Sequence, residues 1–186
     1  KTTNEILAGA KSGEISIIYL LGADEIDTGQ LDNAFVIYQG HHGDAGAHKA
    51  SIIFPSAAYT EQNGIFVNTE GRIQLAKRAA FPPGEAKEDW AILRALSGEL
   101  DVVLPYDTQE DLRHLLQGSN NAFLAIDTVE SVAWSEFGAS GVIDVAPFSS
   151  PIPNFYMTDP ISRASETMAK CVDEIVGTME ATGTDG

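Results

Sequence analysis

Apolar and polar positions alternate in blocks along the first third of the chain. Asn4 to Ala10 predicts a short helix. Ile15 to Leu21, closed by Gly22, predicts a strand, and its near-continuous apolar run implies burial on both faces. After a polar stretch from Ala23 to Asn33, Phe35 to Tyr38 predicts a second strand ending in Gly40, and Ser51 to Phe54 a third, closed by Pro55. The connector from His41 to Ala50 holds Gly43 and Gly46 and has room for a single helical turn only. Three short strands with compact crossovers indicate an α/β fold.

The period then changes. Ile65 to Asn68 and Arg72 to Leu75 flank Thr69-Glu70-Gly71, a spacing that predicts a tight antiparallel hairpin with Gly71 at positive φ. Pro82-Pro83-Gly84 breaks the chain, and Trp90, Leu93, Leu96 and Leu100 mark the inward stripe of an amphipathic helix over Glu88 to Leu100. A shorter helix starts at Thr108, whose hydroxyl can cap the turn with Asp111, and stops at Gly118. From Ser119 to Phe155 the pattern weakens, and Pro147, Pro151 and Pro153 predict an irregular, partly extended arm. Asp159 can cap a C-terminal helix with Pro160 in the first helical position and Ile161, Ala164, Met168, Val172, Ile175, Val176 and Met179 on one face; Ala181 to Gly186 would fray. The expected organisation is an α/β region over residues 1–106, an acidic irregular linker with a short helix over 107–153, and a C-terminal helix over 154–186. No internal repeat is present.

Charge narrows the function. The chain has 11 basic and 27 acidic residues, a net charge of −16. Residues 101–186 hold 3 basic against 14 acidic side chains, so the imbalance grows along the chain. Such a surface repels phosphate backbones and anionic head groups, which argues against nucleic-acid partners and polybasic membrane docking. No apolar run approaches the roughly 20 residues needed to span a bilayer, so direct membrane insertion is not expected. The single Cys171 cannot by itself supply a thiolate-held zinc site or an iron–sulfur cluster. The chain opens on Lys1 without a secretory pattern or an initiator Met, and the expectation is a processed protein or a piece of a larger one.

Several residues could carry chemistry. Gln39-Gly40-His41-His42-Gly43-Asp44, with His48 close behind, gathers imidazoles and a carboxylate in a glycine-rich loop, the donor types of a zinc or iron(II) site. Adjacent His41 and His42 point apart in extended backbone, so the expectation is loop hydrogen bonding and no metal. Ser51 or Ser56 with His42 and Asp44 are the nominal members of a hydrolytic triad, but no G-x-S-x-G elbow supports them. Neither G-x-x-x-x-G-K-[ST] nor a strand-to-helix G-x-G-x-x-G is present, so nucleotide binding has no local signature. Glu61, Glu70 and Arg72 around the hairpin are read as structural ion pairing. Cys171 lies beside an apolar helical stripe and is read as an inert, partly buried thiol. Arg72, Lys77, Arg78 and Lys87 stand among Glu70, Glu85, Glu88 and Asp89 as a nearly neutral docking surface.

The hairpin region carries a more specific pattern. Ala50-Ser51-Ile52-Ile53-Phe54-Pro55, then Glu61, Gly64, Phe66 and Asn68, and Glu70-Gly71-Arg72 with Gln74, resembles the molybdopterin oxidoreductase superfamily. Tyr38 to Asp44, Ala57 to Glu61, Glu88-Asp89-Trp90, Phe155 to Asp159 and Ile161 to Ser165 are similar in turn to the C-terminal portion of the large iron–sulfur subunit of respiratory complex I, the NADH-quinone oxidoreductase of bacteria. The likeness runs from about Ile15 to Asp107 and from Asn154 to Val176.

The resemblance implies a Rossmann-like, three-layer fragment of the molybdopterin-oxidoreductase fold, with a β-hairpin and a C-terminal helical extension. That family carries [2Fe-2S] and [4Fe-4S] clusters in an N-terminal part whose cysteine motifs are absent here, so no cofactor, catalytic residue or metal ligand is expected in this piece. The implied role is a structural, non-catalytic C-terminal domain in an enzyme passing electrons from NADH to quinone, coupled to ion translocation. Its implied partners are other subunits of the peripheral arm, on the cytoplasmic side of a bacterial inner membrane or the matrix side of a mitochondrial one. The alternative is a retained pterin or nucleotide site formed by His41, His42, Asp44 and Arg72.

Overall fold

The structure, a computed structural model, describes residues 1–129, 131, 133, 135, 136 and 138–177. They form two compact units, residues 1–128 and 129 onward.

The first unit opens with α1 (Thr3–Ser12). Thr2 and Glu5 form a reciprocal capping box at its start, and Gly13, at φ 83°, returns its N–H to Ala10 at its end. Strands β1 (Ile17–Leu21), β2 (Phe35–Gly40) and β3 (Ile52–Pro55) follow in a parallel sheet of order β1-β2-β3. The register pairs Ile18 with Val36, Leu20 with Tyr38 and Tyr38 with Ile53. One sheet face therefore carries Ile18, Leu20, Val36 and Tyr38, and on it pack Leu7 and Ala10 of α1 and Leu31. Leu31 ends a 3₁₀ turn, Thr28–Leu31, which Asp27 caps by accepting the Gly29 N–H at 3.1 Å. The second crossover is the five-residue α2 (Ala45–Lys49), and its Ala47 joins the same cluster. The single turn foreseen for this connector is what forms.

The strand predicted to be buried on both faces is buried on one. Ile18 and Leu20 are covered, whereas Ile17 and Leu21 remain exposed. The reason is topological: α1 and both crossovers lie on the same side of the sheet, so the opposite apolar row has no layer of its own among the described residues.

The hairpin forms as read, with β4 (Gly64–Val67) antiparallel to β5 (Ile73–Ala76). Gly71 adopts φ 83° in the turn. The turn is organised by Asn68, whose Oδ1 accepts the N–H groups of Glu70 at 3.1 Å and Arg72 at 2.9 Å. Helix α3 (Asp89–Glu99) presents its stripe less fully than its pattern suggests, since Ser97 is its one buried residue and Leu100 beyond it is exposed. Arg94 anchors the following loop, donating from Nε to the Tyr106 carbonyl at 2.8 Å and from Nη2 to Asp107 at 2.6 Å. Helix α4 (Gln109–Ser119) starts at the foreseen Thr108–Asp111 capping box. Residues past 107 are tied to the hairpin. The Gln109 side chain donates to the Asn63 carbonyl, and Asp127 gives its N–H to Ile73 O at 2.9 Å while accepting Leu75 N–H at 3.0 Å.

In the second unit, the described residues from 129 to 154 hold no regular element. Asn154 caps a 3₁₀ turn, Phe155–Met157. Asp159 caps α5 (Pro160–Arg163), accepting the N–H groups of Ile161 at 2.9 Å and Ser162 at 3.0 Å. The continuous C-terminal helix is corrected here. Helix α5 ends after one turn, and Ser165, in extended conformation, caps a second helix, α6 (Glu166–Cys171), by accepting the Met168 N–H. A π-helical segment, Val172–Val176, continues it. A serine inside a helical pattern offers its hydroxyl to the next turn's orphan N–H, and here that competing bond restarts the helix. The expectations for Met179 and for Ala181 to Gly186 fall outside the described residues.

Candidate functional site

In open parallel α/β sheets, ligands sit beyond the carboxyl ends of the strands. Here those ends bring together Gln39 and Gly40 at the end of β2, His41 and His42 just after it, Ser56 after β3, Asp24 after β1, and Asp89 at the start of α3.

Gln39 is fully buried and donates from Nε2 to Asp89 Oδ1 at 2.6 Å, while Tyr19 donates its hydroxyl to Gln39 Oε1. Burial pushes the Tyr19 phenol above its ordinary pKa, and the nearby Asp89 adds to the shift. On the other side of β2, Asp24 is buried and accepts both the Tyr38 hydroxyl, at 2.7 Å, and the backbone N–H of Gly46, at 2.8 Å. This second contact matters chemically. Gly46 lies in the first turn of α2, where a phosphate or carboxylate ligand would take the free N–H groups, and a side chain of the protein itself already accepts one of them. The space is closed as well: a Cβ on Gly46 would stand 2.7 Å from both Asp24 Oδ1 and the Tyr38 ring, and one on Gly40 would stand 2.2 Å from the Tyr38 hydroxyl.

The two loop histidines meet, against the expectation that they point apart. Their rings cross at 85° with centroids 4.9 Å apart, and the Nδ1 atoms lie 2.7 Å from one another. Residues 41 and 42 form a bend after β2 ends, so the alternation of extended backbone does not apply. One ring must donate and the other accept, which disfavours protonation of both. Desolvation of the His41 ring, followed by the neighbouring His42, holds its pKa below the usual imidazole value; Asp89, Glu61 and Asp24 oppose the shift.

The remaining candidates are dispersed. Asp44 stands at the N-cap position of α2, and Arg72 lies in the hairpin turn on the other sheet. Ser51 Oγ accepts the Val36 N–H at 3.4 Å, and Ser56 is buried with its backbone N–H on Gly40 O at 2.9 Å. Neither hydroxyl is hydrogen-bonded to an imidazole among the described residues. The ion pairing expected between Arg72 and the hairpin carboxylates does not form among those residues. Glu61 accepts the Ala58 N–H of its own turn instead, at 3.0 Å. The basic residues beyond the hairpin do gather: Arg78 lies over the Phe81 ring at 4.2 Å and 3.7 Å from Glu88, which also accepts the Trp90 indole N–H at 2.6 Å, beside an open cleft of about 480 Å³. No group of three or more His, Cys, Asp or Glu side chains among the described residues is placed to hold a metal ion. Cys171 is half-buried, and a single thiol does not fit an iron–sulfur cluster.

Sequence reading missed Asp24 and Asp89 as members of this site and, though it singled out the segment that Gln39 opens, gave Gln39 no role. An aspartate two residues after Gly22, which closes the first strand, was the available signal for Asp24.

Residues 1–99 match the family model for molybdopterin oxidoreductase, more than half of the chain. The chain belongs to the molybdopterin oxidoreductase family. Residues 126–171 match a second model, the C-terminal region of the NADH-ubiquinone oxidoreductase G subunit. Among curated relatives, the NADH-quinone oxidoreductase G subunit of Rickettsia conorii is 45% identical over 163 residues, which is 88% of this chain and 24% of the relative. The mitochondrial NADH-ubiquinone oxidoreductase 78 kDa subunit of Candida albicans is 46% identical over 173 residues, 87% of this chain and 24% of the relative. The NADH-ubiquinone oxidoreductase 75 kDa subunit of Reclinomonas americana is 44% identical over 161 residues, 85% of this chain and 23% of the relative. The chain thus spans about a quarter of the length of the relatives it matches. This molybdopterin oxidoreductase family member has the parallel sheet and the hairpin that its motifs implied, and no helix among its described residues is long and apolar enough to cross a membrane.

Proposed function

We propose that the chain is a structural, non-catalytic portion of a subunit of an NADH–quinone oxidoreductase, a framework element of the peripheral arm of respiratory complex I that packs against other subunits of that complex. In this reading electrons travel through clusters held elsewhere in the parent subunit, and this portion maintains the shape around which the arm assembles.

The observation that carries the reading is the Asp24–Gly46–Tyr38 contact. At the strand ends, where a cofactor-binding relative of this fold would receive an anionic group, a buried carboxyl group accepts the helix N–H and a tyrosine ring fills the approach to two glycines. Binding an anion there would require displacing Asp24 from a buried position, leaving its polar atoms without partners.

The test is a calorimetric titration of the purified chain with a guanine dinucleotide, alongside elemental analysis for iron and molybdenum. The framework reading predicts no saturable heat and no stoichiometric metal. Saturable binding weakened by His41→Ala or Arg72→Ala would favour the retained pterin or nucleotide site and overturn it.

A further inference from the structure

The loop between β5 and α3 builds a cleft that the strand-end site does not use. Its backbone is pinned at both ends. Arg78 gives its N–H to Asn63 Oδ1 at 3.1 Å, and Ala79 gives its own to the Thr60 carbonyl at 2.8 Å. Lys87 donates its N–H to the Pro55 carbonyl at 3.2 Å and accepts the Ala57 N–H at 2.8 Å, which lays its segment beside the end of β3. Arg78, Phe81, Pro82, Lys87, Trp90 and Ala91 are among the residues lining the cleft, which is open and measures about 480 Å³.

The charges there are not matched in pairs. Of the carboxylates that make this stretch nearly neutral in sequence, Glu70 and Glu85 do not line the cleft, and Asp89 accepts from Gln39 at 2.6 Å. Glu88 does line it, but it accepts the Trp90 indole N–H at 2.6 Å and stands 3.7 Å from Arg78, beyond hydrogen-bond distance. The Arg78 guanidinium is held instead over the Phe81 ring, 4.2 Å from its centroid. The Lys87 side chain is exposed, and its ammonium has no hydrogen bond or ion pair among the described residues. Two cations are thus presented beside two aromatic rings, one of which, Phe81, is 79% exposed. Arginine and large aromatic side chains are the residues that interfaces concentrate at their energetic centres.

We infer that this cleft docks an acidic segment of another subunit, an extended peptide that carries an aspartate or glutamate beside an apolar side chain. The carboxylate pairs with Arg78 and Lys87, and its apolar neighbour covers Phe81 and Trp90. The inference rests on the framework reading and deepens it by naming the surface and the chemistry of one subunit contact. Charge complementarity selects the occupant, because in a chain of net charge −16 these cations stand where the neighbouring carboxylates are engaged elsewhere. A free small anion is disfavoured, since ligand sites bury most of their occupant and this cleft is open.

The test is cross-linking in the complete subunit within its assembled complex, by two routes. Carbodiimide, applied to the unmodified complex, joins the Lys87 amine directly to a carboxylate that touches it; benzoylphenylalanine at Phe81 captures whatever covers the ring. The expected products reach the same stretch of a different subunit, with the Lys87 amide formed on an aspartate or glutamate there. Lys87→Glu should lower the yield at Phe81 by about tenfold, since like charges in one contact repel, and Lys87→Arg should preserve it. Products confined to this subunit, an adduct without a peptide, a partner stretch lacking an acidic residue, or a yield that Lys87→Glu leaves unchanged overturns the inference while the assignment to the complex stands. A complete subunit that fails to co-purify with NADH–quinone oxidoreductase overturns the assignment itself, and the inference with it.

Discussion

Tyr38 is the residue on which the strand-end arrangement turns. Its ring fills the space above Gly40 and Gly46, and its hydroxyl satisfies Asp24. Tyr38→Phe keeps the ring and removes the donor, leaving one oxygen of a buried carboxyl without its partner, and should lower stability by about 1–3 kcal/mol. Gly46→Ala drives a methyl group into the Tyr38 ring and Asp24, and overpacking of this kind costs about 1–3 kcal/mol. Both effects are read as a shift in the urea midpoint at unchanged slope. His41 gives a pH signature. Its folded pKa lies below the unfolded imidazole value of about 6.5, so the unfolded chain binds the proton first. Stability should therefore fall as pH drops through that unfolded value, until the folded pKa is passed. His41→Gln should flatten this limb in urea titrations between neutral and mildly acid pH, and an unchanged limb would contradict the assignment. None of this was legible from the sequence, because the meeting of His41 and His42 depends on a bend that adjacent residues do not announce, and Asp24 acquires its role only when the crossover brings Gly46 to it.

At the scale of elements, the hairpin depends on Asn68 more than on the charged residues around it. Asn68→Ala removes the acceptor of two turn N–H groups and should destabilise by about 1 kcal/mol. Gly71→Ala forces a side chain into positive φ and should cost about 1 kcal/mol or somewhat more. Chemical denaturation followed by circular dichroism checks both. Elements with their own start and stop signals were readable in advance: Thr108 with Asp111, Pro160 after Asp159, and Gly71 in the hairpin each act within a few residues. The break at Ser165 was not, since a serine inside an apolar stripe is compatible with either a continuous helix or a new cap, and local hydrogen bonding decides. The burial of β1 misled for a different reason. Its apolar run records a need for cover on both faces, while the described residues supply cover to one.

For the whole molecule, the proposed framework role rests on a net charge of −16 and a strand-end site closed by Asp24. Phe35→Asp in the complete subunit places a charge on the exposed apolar face of the parallel sheet and should reduce the yield of assembled complex, measured by native electrophoresis, while Thr69→Ala in the exposed hairpin turn should not. Family membership was readable because the hairpin motif and the strand-end loop carry a specific order of glycine and polar residues, with Gly71 at the positive φ that the turn requires. The framework role concerns what the assembled enzyme does without these side chains. The direct measurement is NADH:quinone turnover per assembled complex for a His41→Ala, His42→Ala double variant. A framework part predicts turnover equal to that of the unmodified complex, and a fall of about 10²-fold, the scale expected when a proton-transferring group is lost, would contradict it.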